Sequence, residues 1–522
     1  MVSSLSSRHG GPDAQGTVPH DFSTNVNAAG PCLQVLSYLQ RLVPDAYPDP
    51  SHAALCRQLG RWHGIDPRRI LIGASGSELI FRLTAAVVAI AAENVGGASC
   101  THTDAETGPE TLIDTESETD TDRAAETGAP VSVHLPAHAY GDYRRAAEAW
   151  GLPVHCLPGT EVDRSLPGMS RSRDVEVIDG SGVVSGLERC SDGRPEAKVA
   201  PVVSAGVAGH EDVPRRTRPA PGRLGKETAS VGGAGDDSRD RQRSRRRGIR
   251  LIWACEPSSP LGVNQPGLPV WVQQLQAPDV LVLDRAYAPM RLEGQGSLDA
   301  CALGRVWQLI TPNKALGLTG IRAAYLIAPA VSPSASVRDG LQLRLLAKMR
   351  QLAPSWEIGS HGVALLQQWM EPGPQAWLRD SLALLRNWKA RQVAGLRARG
   401  WVILDSDSHF FCARSPVDPN GERTSADLPA PSLSPERAPA GRTGDDEVWE
   451  GLLAHLRQAG IKLRDARSFG LPGWARMSVR PPADQQALWR ALDAWSAAGA
   501  VVKPWLADAA RLAAWSSTQG ER

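Results

Sequence analysis

VLVLDRAY, residues 280–287, sets a short apolar run against an aspartate and, three positions later, a tyrosine. A run that short and that evenly apolar predicts a strand covered on both faces, the habit of parallel sheets. Such a strand delivers Asp284 at its C-terminal end and Tyr287 just past it, and ligands of open α/β sheets collect at those ends. Read in isolation, Asp284 serves equally well as the cap of the following turn.

The flanking sequence repeats the theme. Arg69–Ile72, Val131–Leu135, Ile249–Ala254 and Val306–Ile310 are further short apolar runs closed by Gly, Pro or polar residues, and each predicts a strand. Ala53–His63 and Glu78–Ala92 have helical spacing. Strands interleaved with helices predict an α/β domain, a mostly parallel sheet with helices on both faces. Farther on, Gly340–Leu352, Gly362–Met370 and Trp377–Arg397 read as helices, and Trp401–Leu404 and His409–Ala413 as strands. Leu488, Leu492 and Trp495 make an i, i+4, i+7 stripe on a last helix. The second half therefore predicts a smaller α+β domain.

Of 522 residues, 57 are Lys or Arg and 56 are Asp or Glu, a formal charge of +1. A chain so balanced exerts no global pull on nucleic acid or an anionic membrane, and neither partner is expected. Three stretches are unlike the rest. Gly96–Ala129 holds nine acidic residues against one Arg, 160–247 is rich in Gly, Pro, Ser and Arg, and 415–446 carries Pro-Ala-Pro and Ser-Pro pairs. Such compositions cannot bury enough apolar surface to offset the entropy of ordering, which predicts disordered inserts. The Arg run at 239–247 suits a solvated linker or a nucleic-acid contact, and the linker is the simpler reading. The eight Cys are scattered without a C-x-x-C or a Cys/His cluster, so no metal and a reducing compartment are expected. The longest apolar stretch, Leu83–Ala92, is too short for a bilayer, and MVSSLSSRHGG lacks a basic-then-apolar leader, so the expectation is a cytoplasmic protein.

TPNKALGLTGIR, residues 311–322, holds one lysine among small residues, two glycines that permit close backbone approach, and Arg322 eight positions on. A lysine held partly out of water has its pKa lowered toward what Schiff-base formation with a carbonyl requires. An ordinary exposed loop lysine is the plain alternative. Gly73-Ala-Ser-Gly-Ser-Glu78 turns a strand into a helix. Its free N–H groups and the Ser75 and Ser77 hydroxyls suit an anion, or simply a capped turn.

Taken in this order, the SGSE turn, the DxAY strand end and the Lys-x7-Arg segment resemble the fold-type I pyridoxal-phosphate enzymes of the class I/II aminotransferase superfamily. HGG at His9–Gly11, DFSTNVNAAGP at Asp21–Pro31, YPDP at Tyr47–Pro50 and LRDARSFGLPGWARMSVRPP at Leu463–Pro482 are similar to the threonine-phosphate decarboxylases of cobalamin synthesis. Histidinol-phosphate aminotransferases are the other near branch. The resemblance covers nearly all of the chain outside the inserts. It implies an arm at 1–35, a large cofactor-binding domain at 36–330, a small domain at 331–510 and a tail at 511–522.

The same resemblance assigns roles. Lys314 would hold pyridoxal 5′-phosphate as a Schiff base, and Asp284 would pair with the pyridinium nitrogen, whose proton makes the ring an electron sink. Tyr287 would bond the ring's phenolic oxygen and Tyr140 would stack on the ring. Ser75, Gly76, Ser77, Thr311, Asn313 and Arg322 would surround the phosphate. Tyr47 would reach the neighbouring subunit's phosphate across a homodimer interface with shared sites. Arg476 would grip a substrate carboxylate, and Arg464 the carboxylate or a phosphate, because a planar guanidinium binds either bidentately. A surface arginine is the alternative for each. His9, Ser23 and Asn25 would belong to a segment folded over the site, His9 being equally readable as part of a frayed end.

Two departures stand out. Glu256-Pro-Ser-Ser-Pro-Leu-Gly262 replaces the family's Asn-Pro-Asn-Asn-Pro-Thr-Gly, so Ser259 stands where an Asn bonds the ring oxygen, and Gly73-Ala74-Ser75 replaces Gly-Asn-Gly. The implied reaction is decarboxylation of L-threonine O-3-phosphate to (R)-1-aminopropan-2-ol O-2-phosphate, a small phosphorylated amino acid being the substrate. The alternatives are histidinol-phosphate-type transamination and, secondly, an inactive homologue acting as a binding module.

Overall fold

A computed structural model describes residues 10–96, 131–158, 248–331, 336–416 and 444–497. His9, the expected tail and nearly all of the three expected inserts lie outside the described residues. At their edges, one helix runs to Gly96 and another begins at Gly444, just inside stretches expected as inserts.

After a two-residue strand, β1 (His20–Asp21), seven strands build the main sheet. They are β2 (Ile70–Gly73), β3 (Ser132–Leu135), β4 (Val154–Cys156), β5 (Arg250–Cys255), β6 (Val280–Asp284), β7 (Trp307–Ile310) and β8 (Ala324–Ile327). Their spatial order is β2-β8-β7-β6-β5-β3-β4. Every pairing from β4 to β7 is parallel, and β8 runs antiparallel to both β7 and β2. All five residues of β6 are buried, because helices cover both faces. Helices α1 (Leu33–Gln40) and α2 (Ala53–His63), with Ser360–Trp369, pack on one face through Val35, Leu59 and Leu365. Helices α3 (Gly76–Gly96) and α4 (Gly141–Glu148), with Val337–Gln351, pack on the other through Leu83, Tyr143 and Leu345. The expected mixed, mostly parallel α/β sheet is therefore present.

Element ends differ from the pattern where local chemistry overrides it. Helix α3 starts two residues before Glu78, because Ser75 Oγ accepts the Glu78 N–H at 3.1 Å while Glu78 accepts the Ala74 N–H at 3.2 Å. The helix expected from Trp377 begins at Pro372, since proline fits a first turn whose N–H groups have no helical partner. Strands β4 and β8 and helices α1 and α4 were not expected.

A second sheet, antiparallel, has the order β12-β13-β10-β9, with β9 (Val402–Ile403), β10 (Phe410–Arg414), β12 (Arg464–Asp465) and β13 (Trp474–Ser478). Pro372–Arg397, Gly444–Gln458 and a helix over 482–497 cover it through Leu385, Leu452, Leu488 and Leu492. The N-terminal segment is stitched to this region, since β1 pairs in parallel with β11 (Ile461–Lys462) and the Ser478 N–H donates to Phe22 O at 2.8 Å. Gly317 adopts φ +72°, and a Cβ there would lie 2.6 Å from Gly30 O, so only glycine lets the 311–322 loop meet this segment. Among the described residues no helix is long and apolar enough to cross a membrane.

Candidate active site

A cavity of about 520 Å³ opens where the C-terminal ends of the main sheet meet the second sheet and the N-terminal segment. Ser23, Asn25, Tyr140, Tyr287, Lys314, Arg464 and Arg476 line it, residues drawn from both ends of the chain and from its middle. Sequence reasoning named all seven.

The sheet supplies the first group. Asp284, at the end of β6, is 7% exposed, and its carboxylate accepts the Ala286 N–H at 2.8 Å and the Tyr143 hydroxyl at 2.7 Å. Burial pushes its carboxyl above the usual range, against the pull of those two bonds and of the Lys314 charge. Tyr287 is fixed edge-on to Phe410, centroids 4.8 Å apart, and Lys314 Nζ lies 5.7 Å from the centre of the Tyr287 ring. Lys314 is half-buried, its carbonyl held by the Asn27 N–H at 3.0 Å. The loop after β7 thus aims one amine into the cavity from a braced backbone.

The α3 turn lies beside it. Tyr140 and Ser77 hydroxyls are 3.2 Å apart, and a Cβ at Gly76 would touch the Thr311 methyl at 3.1 Å, so the helix start and the residue after β7 are in contact. Thr311 Oγ1 and Asn313 Oδ1 are buried without a hydrogen-bond partner. Buried polar atoms left unpaired are costly, and such atoms beside a helix N-terminus suit a polar ligand. Ser75, by contrast, spends its hydroxyl on the helix cap. Arg322 is exposed and outside the cavity lining. Tyr47 is 80% exposed and stacked on Trp356, centroids 4.6 Å apart, away from the cavity of its own chain.

The second sheet supplies cations. Arg464 and Arg476 are 3% and 7% exposed and directly opposite in register on β12 and β13. Like charges placed opposite each other are destabilising. Burial, with Arg476 adding to it, pushes Arg464 down to about 10. Its Nη2 donates to Ser468 Oγ at 2.7 Å, and both guanidiniums sit over the Phe469 ring at 5.1 and 5.5 Å. Arg476 donates to Ser259 Oγ at 3.2 Å and to Ser23 O at 2.8 Å, which leaves Nε without a partner. Asn25 is 4% exposed, and neither of its side-chain polar atoms has a partner. This wall is built for an anion with further polar groups.

Sequence reasoning missed Tyr143, Arg144, Ser468 and Phe469. Tyr143 follows Tyr140 by three residues, one turn along α4, and that i, i+3 spacing was the available signal.

These residues fit pyridoxal 5′-phosphate. An amine faces the cavity, a buried carboxylate ends the central strand, and Thr311, whose Oγ1 has no partner, packs against the α3 N-terminus. Among the described residues, no three His, Cys, Asp or Glu are grouped to hold a metal.

Comparisons with known proteins agree with that donor set. The family described as aminotransferase class I and II matches residues 237–494. The chain is similar to the histidinol-phosphate aminotransferase of Thermobifida fusca, 26% identical over 245 residues, 46% of this chain and 53% of that protein. A second such enzyme, from Cupriavidus pinatubonensis, is 25% identical over 250 residues, 47% and 55%. The chain thus spans about half the length of the curated relatives it matches. Among solved structures, histidinol-phosphate aminotransferase from Sinorhizobium meliloti in complex with pyridoxal-5′-phosphate has a TM-score of 0.52 at 15% identity, covering 92% of each chain. That likeness is one of fold.

Proposed function

Because the chain belongs to the aminotransferase class I and II superfamily of fold-type I, pyridoxal-phosphate-dependent enzymes, we propose that it decarboxylates L-threonine O-3-phosphate to (R)-1-aminopropan-2-ol O-2-phosphate. The observation that carries this is the pair of buried arginines, Arg464 and Arg476, facing Lys314 across one cavity. Two guanidiniums match a substrate with two anionic groups, a carboxylate and a phosphate. The HGG, DFSTNVN and RDARSFGLPGWAR segments favour decarboxylation over its alternative.

The cofactor, when bound, supplies a conjugated ring that withdraws electrons from the substrate's α-carbon. Lys314 would hold it covalently and would also be the base or acid at that carbon. Asp284 would keep a proton on the ring nitrogen, and Tyr287 would donate to the ring's phenolic oxygen. Ser77, Gly76, Thr311 and Asn313 would receive the phosphate, with Ser75 and Arg322 in support. Arg476 would grip the substrate carboxylate from the cavity wall and so orient the substrate toward Lys314. The carboxylate would leave as CO₂, its bonding pair staying on the α-carbon, and Lys314 would return a proton to that carbon. Asn25 and Ser23 wall the cavity from water.

The second reading, histidinol-phosphate transamination, is favoured by the names of the curated relatives. In either case the reading includes a large domain at 36–330, a small one at 331–510, and a homodimer in which the exposed Tyr47 serves the partner's site. The test is incubation of cofactor-loaded protein with phosphothreonine and no 2-oxo acid. CO₂ and an amino-alcohol phosphate are expected. Turnover only of histidinol phosphate with 2-oxoglutarate, yielding glutamate, would replace this proposal with the second reading.

A further inference from the structure

Tyr143 has no part in the reaction as described, yet it makes the shortest contact to the central carboxylate. Its hydroxyl donates to Asp284 Oδ2 at 2.7 Å, and the tyrosine is 1% exposed. The ring lies flat on the Trp253 indole, centroids 4.7 Å apart and planes 9° from parallel, and edge-on to Tyr140 at 5.7 Å. A phenol clamped on two sides keeps one free torsion, that of its O–H. Asp284 is the partner that torsion finds.

We propose that Tyr143 is a positioning residue for the cofactor ring, its hydroxyl holding the Asp284 carboxylate ionised and turned so that it pairs with the protonated ring nitrogen. This rests on the reading that pyridoxal phosphate is held by Lys314. A buried carboxylate stripped of donors takes up a proton instead of staying charged. A neutral Asp284 would no longer draw a proton onto the ring nitrogen. The other groups facing this pair do not replace Tyr143. The Cys255 thiol is buried and pushed up by burial and by Asp284, and Lys314 is committed to the cofactor. The Ala286 N–H already occupies the other carboxylate oxygen. Burial, and then Asp284 itself, push the Tyr143 phenol well up, so it stays a donor across the physiological range.

Tyr143→Phe isolates the hydroxyl, because the phenyl ring preserves the stack on Trp253. Equilibrium affinity is measured for two probes, pyridoxal 5′-phosphate and its 1-deaza analogue, in which C–H replaces the ring nitrogen. A lost hydrogen bond to a charged group corresponds to about a tenfold weaker binding of the natural cofactor. The deaza analogue, having no nitrogen to pair, binds the variant no more weakly than the wild type. Unchanged affinity for the natural cofactor would overturn the proposal, and so would an equal fall for both probes, which marks a packing role. Wild-type protein that binds neither probe would overturn the cofactor reading as well, a different and recognisable result. If Tyr143→Phe does not fold, Tyr143→Met, which also fills the volume without a donor, carries the same comparison of the two probes.

Discussion

The two sides of the cavity treat charge in opposite ways. At the end of β6 the buried carboxylate of Asp284 is answered by two donors of fixed geometry, Tyr143 and the Ala286 N–H. Across the cavity, Arg476 is given only neutral partners, Ser259 Oγ and Ser23 O, and it faces a second buried arginine. A group fully answered by the protein is set before the ligand arrives. A cation left with neutral partners is completed by the ligand's own charge. On the proposed function, the sheet side would govern turnover, and the arginine wall would govern which anion binds.

The largest expected effect lies on the sheet side. Lys314→Ala should remove the visible band of the bound cofactor and its fixation by borohydride, and lower turnover by about 10⁴-fold, the upper range for a lost general base. Cofactor still fixed by borohydride in that variant would reassign the lysine. Asp284→Asn comes next, cutting kcat by on the order of 10²–10³ with substrate KM little changed, because an amide cannot keep the ring nitrogen protonated. A variant with near-normal kcat would make Asp284 structural, and the contrast between the two sides would fail.

On the arginine wall the parameter that moves should be KM. Arg476→Lys keeps the charge but loses the planar fork, so KM for a carboxylate substrate should rise about 10- to 100-fold while kcat changes far less. An equal fall in kcat and kcat/KM would instead place Arg476 in the chemical step.

How legible each side was follows from the physics of its signals. Strands β5, β6 and β7 are covered on both faces, so an uninterrupted apolar run marked them, and Asp284 and Lys314 fell at their ends. Strand β8 carries the same composition but follows Arg322-Ala323 without turn punctuation, and it passed unread. Tyr143 lies 141 residues from its partner, and in GDY it reads as one more aromatic in a helix. The opposition of Arg464 and Arg476 depends on the register between β12 and β13, which composition does not carry. Ser259 stands where the resemblance implies an Asn bonded to the ring's phenolic oxygen. The structure shows it bonded to Arg476, a contact between two stretches far apart in sequence.

A stability measurement sharpens the same contrast. His409 is wholly buried between Tyr287 and Phe410. Burial, with the Arg476 and Lys389 charges adding to it, pushes its imidazole down to about 3, against bonding to Asn25 and Met290 backbone groups. The folded state thus binds this proton more weakly than the unfolded chain, whose imidazole titrates at about 6.5. Stability from this residue is complete above about 6.5 and is lost as pH falls toward 3, up to about tenfold in the folding equilibrium per pH unit. His63, pushed down to about 4 mainly by burial, acts in the same direction. Urea midpoints at pH 7 and 5 should differ accordingly, and His409→Gln should flatten the slope. An unchanged slope in that variant would assign the acid sensitivity elsewhere.

The smallest effect expected is at Ser259, and it separates the two sides most finely. If its hydroxyl serves the arginine wall, Ser259→Ala removes one neutral acceptor from Arg476 and costs about 1 kcal/mol, a roughly fivefold rise in KM for the carboxylate substrate. Cofactor affinity and kcat should then stay within about twofold, since Tyr287 and Asp284 are untouched. If instead the hydroxyl serves the ring oxygen, cofactor affinity should fall and KM should hold. Ser259→Asn turns the same question around. The longer amide approaches the ring oxygen but displaces the Arg476 contact at 3.2 Å. Cofactor binding should tighten while KM rises, a trade that only a residue shared between the two sides can show.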